Sequence, residues 1–82
     1  MRKEKQMIDT SNLGKRIAET RRHLGLTQTK LAERVGVTAQ AVSKWEQGRS
    51  CPDIAILDEL ADALGISLFE LLGMENRMGS SS

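Results

Sequence analysis

A single glycine, Gly36, cuts a run of helical pattern into two short pieces, and this break constrains the fold more than any other feature of the chain. Before it, Thr27 can cap a helix whose Leu31, Ala32 and Val35 share one side. After it, Thr38 begins a second helix in which Val42 and Trp45, three apart, face the same way, and Gly48 ends it. The chain must reverse within about one residue, and a glycine tolerates the positive φ such a reversal needs. Ala32 keeps the helix crossing narrow, and Val37 plugs the turn into the core. A pair built this way leaves the opposite face of the second helix exposed and polar: Ala39, Gln40, Ser43, Lys44 and Gln47.

Three further helices are expected around this pair. The first opens near Asp9-Thr10-Ser11, carries Leu13, Ile17, Ala18 and Leu24 on one stripe, and stops at Gly25. His23, the one histidine, falls exposed at its end. Pro52 biases Cys51 away from helix, so 49–53 reads as a loop, with Asp53 capping the fourth helix. Its inward stripe is Ile54, Leu57, Leu60, Ala61 and Leu64, and Gly65 closes it. Ser67 caps a fifth, in which Leu68, Leu71 and Leu72 complete the core before Gly73. With one Trp and one Phe among 82 residues, that core must be aliphatic. The expected architecture is all-α, a compact five-helix bundle over 11–73, flanked by a flexible arm at 1–10 and a disordered tail at 74–82 that ends Gly79-Ser80-Ser81-Ser82.

No apolar run approaches the roughly 20 residues of a membrane span. Cys51 stands alone, which leaves no internal disulfide and no cysteine-based metal site; a reducing, cytoplasmic setting is the default. Net charge is only +1, but it is unevenly spread. Residues 1–49 hold 11 Lys and Arg against 5 Asp and Glu, a net +6; residues 50–82 hold 1 against 6, a net −5. Such asymmetry suggests that one face meets a polyanion. There is no Ser/Cys–His arrangement, no phosphate-cradling glycine loop, no paired carboxylate in a plausible cleft and no metal cluster, so neither enzymatic activity nor a cofactor or small-molecule site is expected.

The motif from Thr27-Gln28 through Leu31-Ala32, Val35-Gly36-Val37-Thr38, Gln40 and Val42-Ser43-Lys44-Trp45-Glu46-Gln47-Gly48-Arg49 to Pro52 resembles the Cro/cI-repressor-like (Xre-type) helix-turn-helix family. The pattern Leu57…Leu60-Ala61…Leu64-Gly65-Ile66-Ser67…Leu71-Leu72 matches the family's last two helices, so the resemblance runs from Leu13 to Leu72. It implies a lambda-repressor-like fold and sequence-specific binding of double-stranded DNA as a transcriptional regulator, a repressor, with the Thr38–Gln47 helix in the major groove. Thr38, Ala39, Gln40, Ser43 and Lys44 then form the base-reading set. Gln40 and Lys44 lie four apart on one face, and Gln suits adenine as Lys suits guanine. Gln28, at the start of the second helix, with Lys30, Gln47 and Arg49, would hold phosphates. The resemblance also implies that Glu46, awkward near DNA, pairs with Arg21 of the first helix.

A helix-turn-helix can instead serve protein binding, and an antitoxin does both. A protein-binding face should show exposed Leu, Met or aromatic side chains, whereas Gln40, Ser43 and Lys44 suit base edges. The apolar candidates, Phe69, Leu72 and Met74, lie elsewhere and are assigned to homodimerisation on a palindromic operator.

Overall fold

The computed structural model describes residues 10–73. They form five helices: α1 (Thr10–His23), α2 (Gln28–Val35), α3 (Ala39–Glu46), α4 (Ile54–Leu64) and α5 (Leu68–Leu71). No strand occurs among the described residues. Of the expected flanks, 1–9 and 74–82 lie outside them, and Met74 with them. Thr10, assigned to the arm, is instead the first residue of α1.

The helix boundaries follow side-chain chemistry. Thr27, Thr38, Asp53 and Ser67 sit in extended backbone just before α2, α3, α4 and α5, and each accepts a hydrogen bond from the backbone N–H three residues on, at 2.9–3.1 Å. These bonds satisfy one of the orphan donors that every helix start exposes. At the α2–α3 turn Gly36 takes φ +85°, and the N–H groups of Gly36 and Val37 both close on the Ala32 carbonyl, at 2.8 and 3.0 Å. A side chain at that φ would be strained.

α1 packs across α3 and also touches α4 and α5, while α2 bridges α3 and α4. Leu13, Ile17, Leu31, Ala32, Val35, Val42, Trp45, Leu57, Leu60, Ala61, Leu64 and Leu71 form one buried cluster. Val37 packs partly against it, as the turn plug should.

Two expected core residues lie outside. Leu24 is 47% exposed, because α1 ends at His23 and the i+7 spacing from Ile17 holds only while the helix continues. The turn delivers Leu26 to the core instead. Ile54 is 68% exposed: it occupies the first position of α4, and the stripe meets the core only one turn later, at Leu57. Of the last three, Leu71 is fully buried, and Leu68 and Leu72 pack partly against the cluster.

Candidate nucleic-acid interface

α3 is eight residues long and divides cleanly by face. Val42 and Trp45, at 0% and 6% exposure, hold its back in the core. Gln40, Lys44 and Gln47 are exposed on the front, with Ser43 half-buried between them. Spacings of three and four place these four side chains on one stripe. Thr38 is the N-cap of α3 and Ala39 its half-buried first residue. The Thr38 hydroxyl oxygen accepts from the Ala41 N–H at 3.1 Å, which leaves its proton and one lone pair for other partners.

The front stripe carries its own hydrogen bonds. Gln47 donates through Nε2 to the Ser43 hydroxyl oxygen at 2.9 Å, and Arg49 donates through NH1 to Gln47 Oε1 at 3.3 Å. Gln47 is thus both the C-cap of α3 and a link between Ser43 and Arg49. Lys30 stands exposed in the first turn of α2.

Behind the stripe lies a part-buried polar network. Arg21 of α1 donates to Glu46 of α3 through Nε (2.6 Å) and NH2 (3.1 Å), a two-pronged pair whose side chains are 11% and 7% exposed. Its third nitrogen, NH1, donates to the Leu26 carbonyl at 2.7 Å. The hydrogen bond to Glu46 raises the Arg21 pKa above the usual guanidinium value; burial opposes this and the Glu46 charge adds to it. Gln28 joins the same carboxylate, Nε2 donating to Glu46 Oε1 at 3.0 Å. The structure therefore brings Arg21, Glu46 and Gln28 together, and Glu46 is held by three donors at the back of α3. Sequence reasoning placed Gln28 at the start of α2 but missed its tie to Glu46, because the two are 18 residues apart with no periodic relation.

It also missed Gly14. This glycine is buried inside α1, and a Cβ there would overlap the Trp45 carbonyl oxygen and lie 2.9 Å from that of Glu46. The α1 and α3 backbones touch at this point, which only a hydrogen side chain allows. A glycine between Leu13 and Ile17, inside a strong helical stripe, was the available signal.

The remaining sequence-named residues lie apart. Phe69 on α5 is 55% exposed, and Leu72, just past that helix, is half-buried. An open hollow between α2 and the α4–α5 end is lined by Arg34, Asp58, Glu59, Asp62, Ile66 and Leu68, with no α3 residue in its wall. Three acidic groups of the chain's second half, Asp58, Glu59 and Asp62, thus flank that hollow, while the exposed Lys44 lies on the α3 front and Arg49 is bonded to its Gln47.

Residues 17–71 match the helix-turn-helix family model HTH_3. An uncharacterized HTH-type transcriptional regulator of Methanothermobacter thermautotrophicus is 51% identical over 49 residues, 60% of this chain and 71% of that protein. The restriction-modification controller protein C.AhdI of Aeromonas hydrophila is similar in structure, with a TM-score of 0.73 at 33% identity, over 77% of this chain and 91% of that one. So is the P22 c2 repressor, solved in complex with a synthetic operator, with a TM-score of 0.73 at 35% identity, over 76% and 94% of the two chains. With its glycine turn, buried Val42 and Trp45 and polar front, the chain belongs to the Cro/cI-repressor-like (Xre-type) helix-turn-helix family of DNA-binding transcriptional regulators.

Proposed function

We propose that this chain represses transcription by laying α3 in the major groove of a specific operator. The observation that carries the reading is the sidedness of α3: Val42 and Trp45 are locked in the core while Gln40 and Lys44 stand exposed on the opposite face, with Ser43 half-buried between them. A groove about 12 Å wide accepts a helix presented this way, with its first turns toward the base edges. Gln40 offers a donor and an acceptor together, the pattern adenine presents, and Lys44 reaches the O6/N7 edge of guanine. Thr38 and Ala39, at the start of α3, suit a phosphate and a thymine methyl.

Lys30, Arg49, Gln47 and Gln28 contact phosphates on either side. Gln28 keeps one amide hydrogen for this after bonding Glu46, since its NH2 carries two. Because Arg21 and Gln28 hold the Glu46 carboxylate at the back, its charge is neutralised where it would otherwise repel the DNA backbone. The protein acts by binding rather than catalysis, in the cytoplasm, and no described helix is long and apolar enough to cross a membrane.

One copy of so small a module covers little DNA, so two copies bind together, related by a two-fold axis over a palindrome. Phe69 and Leu72 supply the apolar contact between them, together with Met74 of the sequence-named set, which lies outside the described residues. Selection of duplexes from a random pool tests the whole reading. The expected result is a pair of inverted half-sites about one helical turn apart, roughly 10 bp. A pool without an enriched motif overturns it.

A further inference from the structure

We propose that the hollow between α2 and the α4–α5 end receives the outer face of α1 from a second copy of the chain, in a head-to-tail contact of matched charge. The contact goes beyond the reading above and does not depend on DNA.

The hollow carries opposed charges that the chain itself leaves unpaired. Asp58, Glu59 and Asp62 of α4 and Arg34 of α2 are all exposed around it, and none forms a salt bridge among the described residues. Asp58 and Asp62 stand four apart on one helix face, where like charges repel. The three carboxylates are not gathered so as to hold a metal ion. They suit a spread of cations rather than a point charge, and Arg34 suits an acid beside them. Ile66 and Leu68, both half-buried, add apolar surface to the wall.

α1 presents the counterpart. Lys15, Glu19 and Arg22 recur at spacings of four and three, one stripe about 10 Å long, turned away from the buried Leu13 and Ile17. All three are exposed and outside any salt bridge among the described residues. The order plus, minus, plus offers Lys15 and Arg22 to the carboxylates of α4 and Glu19 to Arg34. The aliphatic stems of Lys15 and Arg22 then lie over Ile66 and Leu68 while their charged heads stay among polar groups. No α1 residue lines the hollow, so the two surfaces are separate and the match is made between copies.

Because two different surfaces meet, the contact has no two-fold axis and leaves a free hollow at one end and a free stripe at the other. It is therefore distinct from the pairing proposed through Phe69 and adds to it. Exposed ion pairs are individually weak, so the contact is sparse in dilute solution. It becomes populated where copies are held close, as on neighbouring sites of one duplex.

Sedimentation equilibrium of the full chain at low salt tests the contact. With a Kd on the order of 1 mM, the weight-average mass at about 1 mM chain should stand roughly twofold above its dilute value. Asp58→Lys with Asp62→Lys reverses the hollow, and Lys15→Glu with Arg22→Glu reverses the stripe; either pair alone should lower that mass. Each pair also shifts the net charge, so the decisive comparison keeps it at the parent's +1. All four substitutions together restore opposite charges on the two surfaces and should regain the association. The reversed hollow compensated instead by Lys30→Glu with Lys44→Glu has the same net charge and should not regain it. All these positions are exposed, and circular dichroism should show the parent's helical content in every variant. A parent whose mass does not rise, reversals that leave it unaltered, a fourfold variant that fails to regain it, or a Lys30/Lys44-compensated variant that regains it equally would each overturn the contact, with the DNA reading untouched.

Discussion

Gly14→Ala inverts the ordinary rule for a helix interior. Alanine is favoured over glycine there by about 1 kcal/mol, so in most helices the substitution stabilises. Here the new methyl would overlap the Trp45 carbonyl oxygen and sit 2.9 Å from the Glu46 oxygen and 3.0 Å from its carbon. Non-bonded carbon contacts settle near 3.5–4.0 Å, so α1 must withdraw from α3 by about 1 Å. Both oxygens belong to the backbone, and no rotamer change relieves the contact. Overpacking of this kind costs typically about 1–3 kcal/mol, and the rigid case lies at the upper end. After the alanine gain is subtracted, the net destabilisation is about 2 kcal/mol, a fall in Tm of roughly 8–16 °C for a domain this small. Thermal unfolding followed by far-UV circular dichroism measures it. Gly25→Ala is the comparison, since Gly25 has φ +74° but no neighbour within 4 Å, so it carries only the backbone cost of about 1–2 kcal/mol. A Gly14→Ala variant that melts at or above the parent would refute the close α1–α3 approach.

Lys44→Ala should weaken specific binding by roughly 1–3 kcal/mol with helical content unchanged, read by titration of a fluorescent operator; unaltered affinity removes Lys44 from the base-reading set. Arg49→Ala should weaken binding to specific and random DNA alike and flatten the plot of log affinity against log salt by about one unit, and an unchanged slope excludes a phosphate contact. Glu46→Ala strands Arg21 beside the core and should cost about 2–3 kcal/mol in denaturant unfolding, below the full penalty of a completely buried charge because the pair keeps some solvent contact. Replacing both partners, Arg21→Met with Glu46→Leu, should recover most of that loss; if the double variant is no better than Glu46→Ala, the stranded charge was not the cause.

The helix pair was legible because its signals are local. Four side-chain caps and the Gly36 turn are each written within three or four residues, and periodicity separates Val42 and Trp45 from Gln40 and Lys44. Periodicity failed at helix ends. Leu24 and Ile54 continue their stripes in sequence, but a stripe says which side a residue lies on, not whether the partner layer extends that far. What lay beyond sequence reading was contact across elements. The Arg21–Glu46 pair was available only through family resemblance, and nothing local tied Gln28 to Glu46 or marked Gly14 as a point where two backbones meet.

These cross-element contacts explain how so short a helix could serve as the proposed reader. Eight residues in isolation would be marginal as a helix in water, so the shape of α3 is lent by its neighbours. α1 and α2 supply almost all of that packing. At its C-terminal end α3 is fixed by the Gly14 approach and by the Arg21–Glu46–Gln28 network. At its N-terminal end it is fixed by the Thr38 cap and the two closures on the Ala32 carbonyl. Thr38 apart, none of these groups need touch a base, yet each fixes where Gln40, Ser43 and Lys44 stand. A substitution among them should therefore loosen sequence discrimination before it abolishes DNA affinity. Phosphate contacts tolerate small shifts of a flexible Lys or Arg, whereas base contacts depend on α3 sitting at one depth and one angle in the groove.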